Sequence, residues 1–182
     1  MPRYVILLRG INLGATNRIP MTTLREAFAQ AGLGEVRTYL QSGNIVVPDA
    51  ASPAGLAAAT EQLIAQRFGC NVSAMIRSTE ELAAVVKRNP FEEAAQSDPK
   101  HYQVTFLSGE PNPESFAQVI QLADPTERIA THGREIYAWH PAGIHLSKLA
   151  NRLTPKVLGV DCATARNWTT VTQLLELASH GE

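Results

Sequence analysis

Apolar positions along the chain follow two rhythms, a short continuous one and a helical one. Tyr4-Val5-Ile6-Leu7-Leu8 is an unbroken β-prone run that ends at Arg9-Gly10, the pattern of a buried strand. Residues 11–20 are polar and hold Asn12, Gly14 and Asn17, which marks a loop. Leu24, Phe28 and Ala31 then recur at helical spacing, and Gly32 stops that helix. Residues 36–40 alternate like a strand, Ser42-Gly43 is a turn signal, and Ile45-Val46-Val47 completes a hairpin. Pro53 opens an Ala-rich helix with Leu56, Ala59 and Leu63 along its inner face, ending near Phe68-Gly69. Residues 72–76 make another short strand. The order strand, helix, strand, strand, helix, strand is the ferredoxin-like, or split βαβ, arrangement.

Ser78-Thr79-Glu80-Glu81 is a capping box, with Ser78 as N-cap and Glu81 at N3. It predicts a helix through Val86, ended by Asn89-Pro90. Gln96-Ser97-Asp98-Pro99 is polar and turn-like and is the best linker. The pattern then restarts: a strand over 102–107, a helix over 113–122, and a hairpin of 128–131 and 135–139 around His132-Gly133. Residues 147–158 read as mostly helical, with an interruption at Thr154-Pro155. No fourth strand is expected here. Residues 166–178 read instead as a terminal helix with Val171, Leu174, Leu175 and Ala178 inward. The expected fold is therefore α+β, two tandem ferredoxin-like units, the second ending in an extra C-terminal helix. The expected organisation is a unit over 1–77, a helix and linker over 78–100, and a second unit over 101–182. The halves share order without obvious sequence identity, so a duplication is a statement about architecture alone.

Composition narrows the function classes. The chain has 182 residues, 45% of them apolar and 18% charged, which is globular and needs neither disulfide nor metal to fold. With 16 basic and 17 acidic residues the formal net charge is −1, so any polyanion site has to be a local patch. Cys70 and Cys162 are far apart and outside any C-x-x-C spacing, the pattern of buried or half-buried thiols rather than of a redox or metal pair. Residues 1–9 lack a signal-type apolar run with a cleavage site, and no stretch has the apolar length that spans a bilayer. The expectation is a cytoplasmic protein without a membrane partner. No cofactor is implied.

In the ferredoxin-like strand order 4-1-3-2, the end of strand one lies beside the start of antiparallel strand three. That brings Arg9-Gly10-Ile11-Asn12 next to Gln41-Ser42-Gly43-Asn44, with Asn17 and Arg18 at the same rim. Such a rim offers amide donors and guanidinium forks, the groups an anion or planar polar ligand needs. The candidate ligand-binding residues are Arg9, Asn12, Asn17, Arg18, Ser42 and Asn44, joined by Arg166 and Asn167 if the terminal helix folds back. The competing structural reading has the glycines supplying positive φ and Asn12 and Asn44 capping backbone groups. For Thr164 to Thr170 it has Asn167 or Thr164 capping the last helix and Trp168 packing as an anchor, against an anion site at the helix N-terminus.

The sharper motifs are absent: no G-x-x-x-x-G-K-[ST], no G-x-G-x-x-G, no H-E-x-x-H and no G-x-S-x-G. His140 and His145 are five apart across Pro141 and Gly143, which is poor metal spacing, and Ser42 has no visible His partner.

The motifs Tyr4 to Gly14, Ile19-Pro20-Met21, Tyr39 to Asn44 and Ala163 to Val171 resemble the signatures of the bacterial domain of unknown function 1697 family. The resemblance extends over essentially the whole chain. It implies tandem ferredoxin-like units and adds weight to the rim, while assigning no activity to any residue. Ala15 departs from the family's tendency toward a second glycine.

Three hypotheses follow. The first is binding of a small anionic, phosphate-bearing or nucleotide-like ligand, or of a nucleic-acid end, at the rim. An RNA module that stacks bases on sheet aromatics does not fit, because Asn44 to Val47 contains no aromatic. The second, by fold analogy only, is a phosphate-ester or acyl-phosphate hydrolase in which Arg18 holds the phosphate and Asn44 positions water. The third is a partner-binding or self-associating structural protein that uses exposed sheet edges; the oligomeric state is not legible in the sequence.

Overall fold

A computed structural model describes residues 3–15, 17–48 and 52–180. Its elements are β1 (Tyr4–Arg9), α1 (Met21–Gln30), β2 (Arg37–Tyr39), β3 (Asn44–Val47), α2 (Pro53–Phe68), β4 (Ser73–Ser78), α3 (Thr79–Lys87) and α4 (Glu92–Ser97), then β5 (Tyr102–Leu107), α5 (Pro113–Ile120), β6 (Arg128–His132), β7 (Glu135–Trp139), α6 (Pro155–Leu158), β8 (Ala163–Asn167) and α7 (Trp168–Ser179). They form two compact units: the chain up to Ala84 together with the stretch from Gln173 onward, and Val85–Thr172.

The first unit is a four-stranded antiparallel sheet in the order β2-β3-β1-β4. Tyr4, Ile6 and Leu8 share one face with Ile45 and Val47, and pack there on Leu24 and Phe28 of α1 and Leu56 and Ile64 of α2. The buried face of α2 is Leu56, Thr60 and Ile64, not Leu56, Ala59 and Leu63. Burial selects a stripe one position further along, so Ala59 and Leu63 lie at its margin. Ser52 caps α2 by accepting from the Gly55 N–H at 3.1 Å, Pro53 occupies its first turn, and Gly69 ends it in the left-handed region. The Ser78–Glu81 capping box forms as expected. Glu81 N–H donates to Ser78 Oγ at 3.1 Å, and Ser78 N–H donates to Glu81 Oε2 at 2.8 Å. The end of α7 belongs to this unit, where Arg3 Nη1 donates to Ala178 O at 3.0 Å.

The second unit repeats the plan, with strand order β6-β7-β5-β8. The fourth strand that the sequence reading omits is β8, paired antiparallel with β5 from Gln103↔Asn167 to Leu107↔Ala163. The expected helix start at Arg166 is corrected accordingly: residues 163–167 extend because they meet an open β5 edge, and α7 begins only at Trp168. Asn167 then caps that helix, its Oδ1 accepting from Thr170 N–H at 2.9 Å. Trp168 anchors it, stacked on Tyr102 with centroids 5.1 Å apart. Residues 147–158 are less helical than expected: two 3-10 turns, Ile144–Leu146 and Ala150–Arg152, precede α6. Pro155 has no N–H to extend a helix backward, and Gly159 closes α6 in the left-handed region after one turn. The helix α4 has no counterpart in the sequence reading. Its end is fixed by Asp98, which accepts from Trp139 Nε1 at 3.0 Å and pairs with His101 Nδ1 at 2.9 Å. Burial pushes the Asp98 carboxyl up, but those two partners outweigh it and hold the group below its ordinary range.

Candidate functional site

The rim of the first unit is set by β1 and β3. Leu7 faces Asn44 in register, and Leu8 N–H donates to Gly43 O at 2.8 Å, so the end of β1 lies against the β2–β3 turn. Only glycine fits at position 43. Its φ is +75°, and a Cβ there would come within 2.7 Å of Leu8 Cβ and 2.8 Å of Ile11 Cδ1.

The asparagines brace this rim rather than reach out from it. Asn12 Nδ2 donates to Gln41 O at 2.6 Å and to Ile19 O at 3.1 Å, while its Oδ1 accepts from Ile19 N–H at 2.8 Å. One side chain therefore ties the β1–α1 loop to the β2–β3 turn. Asn17 Nδ2 donates to Gly10 O at 2.8 Å, and Asn12 N–H donates to Asn17 O at 3.0 Å, closing the loop on itself. Asn44 is fully buried, with Nδ2 donating to Tyr39 O and Ser42 Oγ, both at 2.9 Å. A hydrolase in which Asn44 positions water is left without that group.

The outward-facing groups are few. Arg9 is exposed, and its side chain makes no hydrogen bond or ion pair with the described residues. Arg18 is exposed and donates only through Nε, to Gly14 O at 3.3 Å. Arg25, from α1, reaches Thr38 Oγ1 at 2.6 Å beside the same turn. Neither 9–20 nor 39–44 contains an acidic residue, so the rim is locally cationic on a chain of net charge −1. Sequence reasoning passed over two further residues here. Leu13 and Leu40 are 70% and 56% exposed, and they adjoin the bridged pair Asn12 and Gln41. The available signal for Leu13 was an apolar residue set between the turn formers Asn12 and Gly14.

Strain concentrates at this rim. Among the described residues the non-glycine positions with positive φ are Asn12 (51°), Asn17 (50°) and Leu40 (57°). All three belong to the two segments that meet here. Asparagine tolerates this region; leucine does not without cost.

Arg166 and Asn167 lie in the second unit and are otherwise engaged. Arg166 is buried, its Nη1 donating to Thr164 Oγ1 and Ala165 O, each at 2.8 Å. Burial draws its pKa down to about 10, which still leaves it cationic at neutral pH. Asn167 is spent on the α7 cap.

Among the described residues no three His, Cys, Asp or Glu side chains gather as a metal site, and no helix is long and apolar enough to cross a membrane.

The chain is similar in structure to the conserved bacterial protein SP0830 from Streptococcus pneumoniae. The TM-score is 0.75 at 21% identity, over 97% of this chain and 98% of that one, a likeness of fold. A search of curated proteins finds no match. The family model described as a protein of unknown function, DUF1697, matches residues 1–137, and the chain belongs to that family.

Proposed function

We propose that the rim of the first unit binds a small anionic ligand, phosphate-bearing or nucleotide-like. The observation that carries this reading is the coincidence of strain with exposed cations that form no ion pair among the described residues. Non-glycine residues held at positive φ cost about 1–3 kcal/mol each, less for asparagine, and persist only where their surroundings over-determine them. Here three of them shape one rim that presents Arg9 and Arg18. In this reading the asparagines set the loop, the two guanidinium groups meet the anion, and Leu13 and Leu40 offer apolar contact to a flat ring. Arg166 and Asn167 take no part.

The test is calorimetric titration of inorganic phosphate, ribose 5-phosphate, nucleoside monophosphates and a short RNA into the wild type, with Arg9→Ala and Arg18→Ala as controls. Saturable binding that weakens about tenfold or more in each variant is the expected result for a charge-assisted contact. No saturable binding by any of these probes overturns the reading.

The exposed Leu13 and Leu40 favour a second reading, a protein partner or a second copy of the chain docked on the same rim. Light scattering over a range of concentrations, on the wild type and on Leu13→Ser/Leu40→Ser, tests the self-association form. A concentration-independent monomer removes it.

A further inference from the structure

A groove in the second unit has no part in the rim. Two hollows meet at Leu122. One, of about 400 Å³, lies between the Asp124–Glu127 turn and Gly143, Leu146 and Lys148. The other, of about 500 Å³, lies between Val119 of α5 and Arg152, Lys156 and Val157. Leu122 and the nearby Ile120 are each 41% exposed, and Leu146 is 67% exposed. Single exposed apolar side chains are ordinary; several gathered along one groove mark an interaction surface.

Exposed basic side chains outnumber exposed acidic ones along the groove, three to one. Lys148, Arg152 and Lys156 are exposed and make no side-chain hydrogen bond or ion pair with the described residues. Of the two acids of the same wall, Glu127 is turned inward, while Asp124 is exposed and braced within its own turn. Asp124 Oδ1 accepts from Thr126 N–H at 3.0 Å and Thr126 Oγ1 at 2.8 Å. Glu127 Oε1 accepts from His140 Nδ1 at 2.6 Å, and Oε2 accepts from Asp124 N–H at 2.9 Å. Both members of the Glu127–His140 pair are buried, with 6% and 1% of their side chains exposed. Ser147 also bonds Glu127, and its Oγ caps Ala150 N–H at 2.9 Å. The wall is therefore pinned from inside, which lowers the ordering cost of binding.

We propose that this groove docks a segment of a partner protein in which Leu- or Phe-type side chains alternate with Asp or Glu. The apolar side chains fill the hollows on either side of Leu122, and the carboxylates meet Lys148, Arg152 and Lys156. A basic segment is disfavoured here, because it meets three exposed cations and, among the described lining residues, the single exposed acid Asp124.

The test uses the full chain and fluorescence anisotropy of a labelled peptide of alternating Leu and Glu, with two control peptides, Lys for Glu and Ser for Leu. The expected result is saturable binding of the Leu/Glu peptide alone, weakened by salt. It falls about tenfold or more in Lys148→Glu/Arg152→Glu/Lys156→Glu and in Leu122→Asp. All four positions are exposed or half-exposed, and an unchanged circular dichroism spectrum confirms folding. The proposal is overturned by no saturable binding, by equal binding to the triple variant, or by equal binding of the Ser-for-Leu peptide. It is also overturned if mixed phosphatidylserine–phosphatidylcholine vesicles bind with the same charge dependence while the peptide does not, which assigns the patch to a lipid surface.

Discussion

In the first unit β1 leads to α1 through residues 10–20; in the second, β5 leads to α5 through residues 108–112. The frames around these two connections agree closely. Leu8 N–H donates to Gly43 O at 2.8 Å, and Leu107 N–H donates to Arg134 O at 2.9 Å. Val5 pairs with Arg77 and Val104 with Arg166, both arginines are buried, and each sends Nη1 to the carbonyl of the preceding residue, at 2.9 and 2.8 Å. The second connection needs no non-glycine residue at positive φ, and Asn112 simply caps α5 by accepting from Ser115 N–H at 2.9 Å. The fold alone therefore does not require the long, strained, asparagine-braced loop. That loop is an addition to a shared frame, and this is why the candidate site is placed on it.

The largest expected effect contrasts the two hairpin turns. Gly43→Ala adds a Cβ into Leu8 and Ile11 at positive φ, and overpacking plus backbone strain predicts a loss of about 3 kcal/mol or more. Gly133→Ala also sits at positive φ but meets nothing within 4 Å, so about 1 kcal/mol is expected. Urea unfolding of both variants measures the difference, and equal losses break the contrast.

Next comes Glu127→Gln, which removes a buried charge-assisted bond of the second unit and is expected to cost about 2 kcal/mol at neutral pH. Burial pushes this carboxyl up, but bonds from His140, Ser147 and Asp124 N–H outweigh it and hold its pKa below the ordinary 4.5. The unfolded chain therefore binds this proton more readily than the folded one. The stabilisation is fully present above pH 4.5 and disappears as pH falls through the lower folded value. The wild-type and Glu127→Gln urea midpoints converge in that acid window; a constant gap between them contradicts the assignment.

The two helix caps at the ends of β4 and β8 serve as a matched pair. Ser78→Ala and Asn167→Ala each lose a cap and are expected to cost about 1 kcal/mol. Hydrogen exchange reads this as loss of protection in the first turns of α3 and α7 respectively.

The smallest effect is the sharpest for the site. Leu40→Gly relieves a strained, exposed position, and thermal unfolding should show a gain of about 0.5 kcal/mol. A gain in stability with loss of ligand or partner binding supports strain kept for function; a loss of stability shows that Leu40 is structural.

Much of this was legible in the chain. Continuous apolar runs marked β1 and β3, Pro53 and Gly69 bracketed α2, and the capping box announced α3, because each signal acts within a few residues. The neighbouring of Arg9–Asn12 and Gln41–Asn44 followed from strand order alone. What was missed depended on distant partners. Ala163–Asn167 has weak strand character and extends because β5 offers an open edge. The α4 helix is short and held by side chains of later residues, Trp139 and His101.

By itself the sequence determined the βαββαβ order of the first unit, the first three strands and α5 of the second, the local caps and the cationic character of the first loop, all of which rest on propensity, periodicity and charge within short windows. Tertiary structure decided which polar groups are available. It turned Asn12, Asn17, Asn44 and Asn167 onto backbone groups and buried Arg166 in a strand, while leaving Arg9, Arg18, Leu13 and Leu40 facing solvent. The physical reason is that buried polar groups have to find partners, and where those partners lie is set by chain segments far apart in sequence.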